Sequence, residues 1–283
     1  MLKTLRDALR IKEVRSRIFY VILALIIIRA GSQIPVPGVD TSFFSEYFAS
    51  TTNDAFNFLD AFTGGGFTNF SIFALSITPY ITASIIVQLL TIAIPKLEEM
   101  QKDGEQGRKK LEKITRFSTI ALSIIESVAM CIGFGNRLIL EMNFINVVTV
   151  VACLTAGSAF LMWIGEQITE KGVGNGISIV LLINILSRIP ADMRTLYDNF
   201  VNGKTIAWAT LAWIVIAIII IFVVVLVLIL NGAERRIPVQ YSKKMVGRKQ
   251  YGGQSSHIPL KVNTAGVIPI IFAASIMSFP SII

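Results

Sequence analysis

Seven long apolar segments, at 18–34, 70–94, 117–134, 145–164, 177–189, 206–230 and 265–283, leave this chain few ways to fold in water. A helix needs about 20 apolar residues to cross a hydrocarbon core of about 30 Å. Lipid accepts only structures that satisfy their own backbone polar groups. The loops set the direction of threading. Of 26 Lys and Arg residues, 21 fall in the tail 1–17 and in the loops 95–116, 166–176 and 231–261. These are alternate loops, and positive charge stays on the cytoplasmic side. The other five, Arg29, Arg137, Arg188, Arg194 and Lys204, lie near the opposite ends. The fold class that follows is an all-α polytopic membrane protein with its N-terminus in the cytoplasm.

Composition agrees. The chain is 53% hydrophobic and 16% charged, against about 25% charge in soluble domains. Its mean hydropathy is +0.67. The net charge of +8 sits in short loops, where it can set topology, meet anionic lipid or meet an anionic partner. Ribosomal RNA is one such partner, and its attraction would be salt-dependent. Cys131 and Cys153 fall inside apolar segments and read as packing residues. His257 is the single histidine, so a metal site built on two or more histidines is excluded. The stretch 18–30 lacks a small-residue cleavage site and reads as a first spanning helix, not a signal peptide. The sequence stops within an apolar run, Phe279-Pro280-Ser281-Ile282-Ile283, which reads as the end of a fragment.

Within this frame some stretches carry more than hydrophobicity. The loop 35–69 holds Asp40, Glu46, Asp54 and Asp60 with no Lys or Arg, as a translocated segment should. Its stretch 55–62 is moderately apolar, too short to span, and followed by Gly64, Gly65 and Gly66. The residues admit either a half-helix re-entering the membrane or an ordinary surface loop. In the second segment Ser76, Tyr80, Ser84 and Gln88 recur every four residues beside a stripe of Ile77, Ile81 and Ile85. A helix facing lipid all round has no use for a polar stripe. The stripe borders another helix or an aqueous route, and Pro79 predicts a kink. Glu126 sits mid-segment with no second core acid or base, which favours an interhelical contact over a proton relay. Ala152, Ala156 and Ala159 predict close helix packing. The fifth segment is short, and Gly172–Gly176 predicts unwound backbone leading into it. In the loop 231–263, 237–241 alternates as a strand and Gly252-Gly253 marks a turn. A protruding basic hairpin and a plain topology signal are both open.

Four motifs in order resemble the SecY family, whose members form the central subunit of the bacterial protein-conducting channel. They are Phe73-Ala74-Leu75-Ser76-Ile77-Thr78-Pro79-Tyr80-Ile81-Thr82-Ala83-Ser84, then Gly165-Glu166-Gln167-Ile168-Thr169-Glu170-Lys171-Gly172-Val173-Gly174-Asn175-Gly176. Arg235-Arg236-Ile237-Pro238-Val239-Gln240-Tyr241 and Ser256-His257-Ile258-Pro259-Leu260-Lys261-Val262-Asn263 follow. The resemblance covers essentially the whole chain. It implies a bundle of ten spanning helices in two inverted halves, of which seven fall here. The tail would be 1–17, the first half 18–189, and the start of the second half 190–283.

The resemblance further implies site residues. Ile77, Ile81, Ile177, Leu181 and Ile271 match an aliphatic ring that closes the channel, with Leu181 where isoleucine is commoner. Such a constriction excludes water by dewetting. The stretch 57–69, with Phe62, Gly64, Gly65 and Gly66, resembles a plug that seats against the ring from outside. Gln88 and Ser275 match positions at a lateral gate through which signal peptides reach membrane lipid. Arg235, Arg236, Arg248 and Lys249 match a docking loop for the ribosome or the SecA motor. SecE and SecG would be companion subunits and nascent chains the cargo, in the bacterial plasma membrane, with no cofactor, metal or enzymatic step. The alternative is a secondary transporter with inverted repeats, which would need charged or broken backbone at midplane. Glu126 alone meets that need.

Overall fold

The computed structural model describes residues 10–40, 60–135, 139, 143–203, 205–239, 244–246, 249–251, 256–264, 266 and 273, with backbone alone at 206, 207, 244–246 and 249–251. Among these residues, seven helices of eight residues or more run in chain order. They are α1 (Lys12–Gly31), α2 (Thr78–Ala93), α3 (Pro95–Lys102), α4 (Glu105–Phe134), α5 (Phe144–Lys171), α6 (Gly176–Phe200) and α7 (Ile206–Gly232). One compact unit ends at Ala191 and a second begins at Asp192.

Four helices, α4, α5, α6 and the stretch Trp208–Gly232 of α7, are each long and apolar enough to cross a membrane. The α2–α3 pair, bent by 103°, makes a fifth if counted as one span. The chain is a multi-pass helical membrane protein. The expected seven spans exceed this count for identifiable reasons. In α1 only residues 18–28, between Arg17 and Arg29, are free of charge, and eleven residues rise about 16 Å. Most of the seventh segment, Ile271 and Ser275 included, lies outside the described residues.

The second segment differs from its expected form. It is helical from Thr78, not from 70. Residues 64–77 form a run of turns, with positive φ at Phe70 (40°) and Ser76 (52°). Pro79 lies in the first turn of α2, where its missing N–H would have had no helical partner. It therefore starts a helix instead of kinking one. The bend comes later, at Ile94 (φ −111°, ψ 112°), because the residue before a proline is pushed out of the helical region.

The fifth segment is also longer than its apolar run. Helix α6 has 25 residues and continues through Pro190. Irregular backbone is confined to 172–175. Asn175 Oδ1 then caps α6 by accepting the N–H groups of Ile177 (3.1 Å) and Ser178 (3.4 Å).

Two apolar clusters hold the first unit together. One gathers Phe67, Phe70, Leu75, Met130, Ile139, Val150 and Leu154, joining the run of turns to α4 and α5. The other gathers Ala24, Ile28, Phe73, Ile77, Leu161, Ile164, Ile168 and Val180, joining it to α1, α5 and α6. Helix α4 buries Thr115, Thr119, Ser123, Glu126 and Ser127. It can do so because the hydroxyls bond back to carbonyls on their own helix, as in Thr119 to Thr115 O (2.7 Å) and Ser127 to Ser123 O (2.6 Å).

In the second unit no described side chain of α7 is buried, as expected of a helix apolar on every face and turned to lipid. Beyond it, β1 (Glu234–Val239) pairs antiparallel with β4 (Ser256–Lys261), in a register that sets Ile237 opposite Ile258. Between them β2 (Lys244–Val246) pairs with β3 (Lys249–Tyr251). The loop 231–263 is thus a doubled antiparallel hairpin. Its strand starts at Glu234, three residues before the expected 237, and the Gly252-Gly253 turn lies outside the described residues.

Candidate functional site

Four of the five proposed ring residues converge. Ile77 is fully buried in the second cluster, and Ile81, Ile177 and Leu181 pack against it half-buried. Glycine at 165 makes room for this. A Cβ there would stand 3.3 Å from Ile177 Cγ1 and 3.6 Å from Ile77 Cδ1. Ile77 therefore forms the base of the cluster, while the other three keep free surface. Ile271 lies outside the described residues.

The triple-glycine segment is seated beside this cluster. Residues 60–63 form one helical turn, and 64–77 return toward α2. The carbonyl of Phe62 accepts from Ser76 Oγ (3.3 Å) and from Asn184 Nδ2 (3.2 Å). Asn184 also donates to Ser76 Oγ at 3.2 Å. Ser76 adjoins Ile77, and Asn184 lies one helical turn from Leu181, so Phe62 is held within a turn of the aliphatic cluster. Asp60, with its side chain only 3% exposed, pairs with Arg188 of α6. Its Oδ1 also accepts the N–H of Thr68 (2.9 Å). Arg29, at the end of α1, donates through Nη1 to the carbonyl of Gly64 (3.1 Å).

Gly64 itself cannot be replaced freely. Its φ is +65°, and a Cβ would stand 2.8 Å from Ser187 Oγ and 2.9 Å from the carbonyl of Asn184. Gly66 is buried and Gly65 half-buried beside it. The described part of this stretch is packed into the first unit, with Asp60, Thr63 and Phe67 buried, while 55–59 lie outside the described residues.

Ser76 is not part of a helical polar stripe. It precedes α2, and its hydroxyl serves the Phe62 seat. The remainder, Tyr80, Ser84 and Gln88, flanks the buried face of α2, which is Pro79, Ala83, Val87 and Thr91. Gln88 is exposed. Ser275, the other proposed gate residue, lies outside the described residues.

Arg116 on α4 pairs with Glu166 on α5 at 2.7 Å. Counting ten residues along the antiparallel helices brings Glu126 level with about residue 156. Near that level Thr155 Oγ1 and Ser158 Oγ are buried and find no hydrogen-bond partner among the described residues. Arg235 and Arg236 are exposed on β1. Arg248 lies outside the described residues, and Lys249 starts β3, where only backbone is described.

Asp60, Asn184 and the two arginines had no place among the sequence-derived site residues. A signal existed for three of them. Arg29 and Arg188 belong to the five cations on the disfavoured side, and Asn184 is an amide within an apolar run.

A family model for SecY matches residues 71–283. Protein translocase subunit SecY of Halalkalibacterium halodurans is 44% identical over 99% of this chain and 66% of its own length. The subunit of the same name from Thermotoga maritima is 43% identical over 100% and 66%. That of Escherichia coli K12 is 41% identical over 96% and 62%. The chain thus spans a little under two thirds of the length of these curated relatives. Among solved structures, one described as a protein conducting channel aligns with TM-score 0.60 and 18% identity, covering 95% of this chain and 58% of that one. A second has a plug domain described as stabilising the closed state of the translocation channel and maintaining a membrane seal. It aligns with TM-score 0.58 and 19% identity, covering 95% and 57%. The likeness to these two is one of fold. On the family match and the identity to its relatives, the chain belongs to the SecY family.

Proposed function

We propose that this chain forms the greater part of a protein-conducting channel. It moves unfolded secretory polypeptides across the bacterial plasma membrane and releases signal or transmembrane helices into lipid. The observation that carries the reading is the holding of the Phe62 turn, by Ser76 and Asn184, beside the Ile77, Ile81, Ile177 and Leu181 cluster. Aliphatic side chains offer a passing chain no hydrogen bonds, so they exclude water at rest and yield without binding. Ile81, Ile177 and Leu181 keep surface for the constriction. The partly uncovered Tyr80, Ser84 and Gln88 face is suited to line a lateral gate, whose opening a sufficiently apolar segment biases. No catalytic step is required of the chain.

The doubled hairpin with Arg235, Arg236, Arg248 and Lys249 is the docking site for an anionic surface, ribosomal RNA or the SecA motor. SecE and SecG complete the membrane complex. The test is translocation in vesicles. The full-length protein with its companion subunits is reconstituted with SecA and a radiolabelled unfolded precursor. Protease-protected precursor that depends on ATP is expected, and none above protein-free vesicles would refute the reading.

A further inference from the structure

Five cations lie on the side where positive charge is disfavoured, and two of them converge on one short segment. Arg188, midway along α6, pairs with Asp60. Arg29, at the end of α1, donates to the Gly64 carbonyl at 3.1 Å. These contacts grip the start and the end of residues 60–64, which contain the single turn of helix that holds Phe62. Between them Asn184 holds the Phe62 carbonyl at 3.2 Å.

Gly64, at its end, and Gly65 and Gly66, just beyond it, offer no side chain to bury, and Phe62 is only half-buried. Apolar burial contributes roughly in proportion to area, so a glycine-rich segment depends on its polar contacts. Asp60 is the strongest of these. Its carboxylate is 3% exposed and accepts the Thr68 N–H (2.9 Å) and Thr63 Oγ1 (3.3 Å) as well as meeting Arg188. Withdrawing one partner from such a group leaves the other charge poorly compensated. Gly64 shows how closely the second grip fits, since a Cβ there would reach within 2.9 Å of Arg29 Nη1.

We propose that Arg188 and Arg29 form a two-point charged latch, with the Asp60–Arg188 ion pair as its main catch, that sets how often the segment leaves its seat at rest. The three are positioning residues. They touch no cargo and act through the segment. The proposal rests on the channel reading above. It adds a cause for the placement of two outward-side arginines and names the contact that must part on opening.

The test is ion conductance of the full-length protein, with its companion subunits, in planar bilayers. Wild type is expected to be nearly silent at rest and to conduct when a precursor chain is arrested inside it. Charge-assisted contacts are the stronger class of hydrogen bond, so Asp60→Asn and Arg188→Gln should each raise resting open probability at least about tenfold. The double variant should be no leakier than the worse single, because both remove one contact. Conductance with arrested precursor should not change. Arg29→Gln leaves the ion pair intact and should give a smaller rise. It also carries the test if Asp60→Asn fails to accumulate in membranes. Silence of all three variants, with arrested wild type conducting, overturns the latch and leaves the channel. Multiplied leak in the double variant overturns the pairing. Absence of conductance in arrested wild type overturns the channel reading itself.

Discussion

A methyl group added at Gly176 would stand 1.9 Å from the carbonyl oxygen of Gly165, so Gly176→Ala tests whether the α5–α6 crossing depends on that glycine pair. Two effects oppose each other. Alanine favours helix over glycine by up to about 1 kcal/mol, and Gly176 opens α6. Against this, real Cβ atoms stay beyond about 3.0 Å from such neighbours, so the helices must part by more than 1 Å. That shift draws the Gly176 N–H away from Thr169 Oγ1, now 2.8 Å distant. It also lifts Ile177 off Gly165. Overpacking costs about 1–3 kcal/mol, and a stranded buried N–H about 1–3 kcal/mol more. The clash wins, with a net loss of about 3 kcal/mol. Two neighbours calibrate the argument. Gly174 has φ +77° and nothing within 4 Å of a Cβ, so Gly174→Ala should cost about 1–2 kcal/mol from backbone strain alone. Gly165→Ala meets its nearest atom, a side-chain carbon of Ile177, at 3.3 Å and should be the mildest. The assay is unfolding of the purified full-length protein in mixed micelles of rising SDS fraction, followed by helical circular dichroism. The expected order of loss is 176, then 174, then 165. A Gly176→Ala midpoint at or above wild type would show that helix propensity governs the junction and would refute the close-approach reasoning.

Other outcomes bear on the site and the docking loop. Ile81→Asn should wet the constriction and let a reporter with a defective signal sequence be exported at least severalfold above wild type. Ile77→Asn places an amide in a fully enclosed site and should lower the amount of folded protein instead, measured by membrane accumulation. Unchanged reporter export by Ile81→Asn counts against the ring. Reversing Arg248 and Lys249 to Glu should weaken ribosome or SecA binding and flatten its salt dependence, read by co-sedimentation across a salt series. Unmoved affinity would leave the loop as a topology signal.

How much of this was legible in the residues depends on whether a feature is periodic or negotiated between segments. Apolar runs and basic loops repeat, so class and threading follow from them. Ile77 and Ile81 stand out as part of an isoleucine stripe in the second segment, whereas Ile177 and Leu181 join them only through the resemblance to the SecY family. Yet the same spacing misassigned Ser76. It shares a four-residue interval with Tyr80, but the helix begins only at Thr78, and Ser76 takes φ 52° to turn its hydroxyl toward Phe62. Periodicity presumes a helix that has already started, and Pro79 shows where it starts only if its preference for the first turn is weighed above its reputation for kinks. Helix α6 outran its apolar stretch for the converse reason. Backbone hydrogen bonding continues past Ile189 although the side chains turn polar, and Arg188, one residue earlier, is where the polar end meets Asp60. That pair joins residues 128 positions apart in sequence. No local pattern encodes such a partner. What the residues did offer was a violation, cations on the wrong side of the charge rule, and the structure answers two of those violations with one segment.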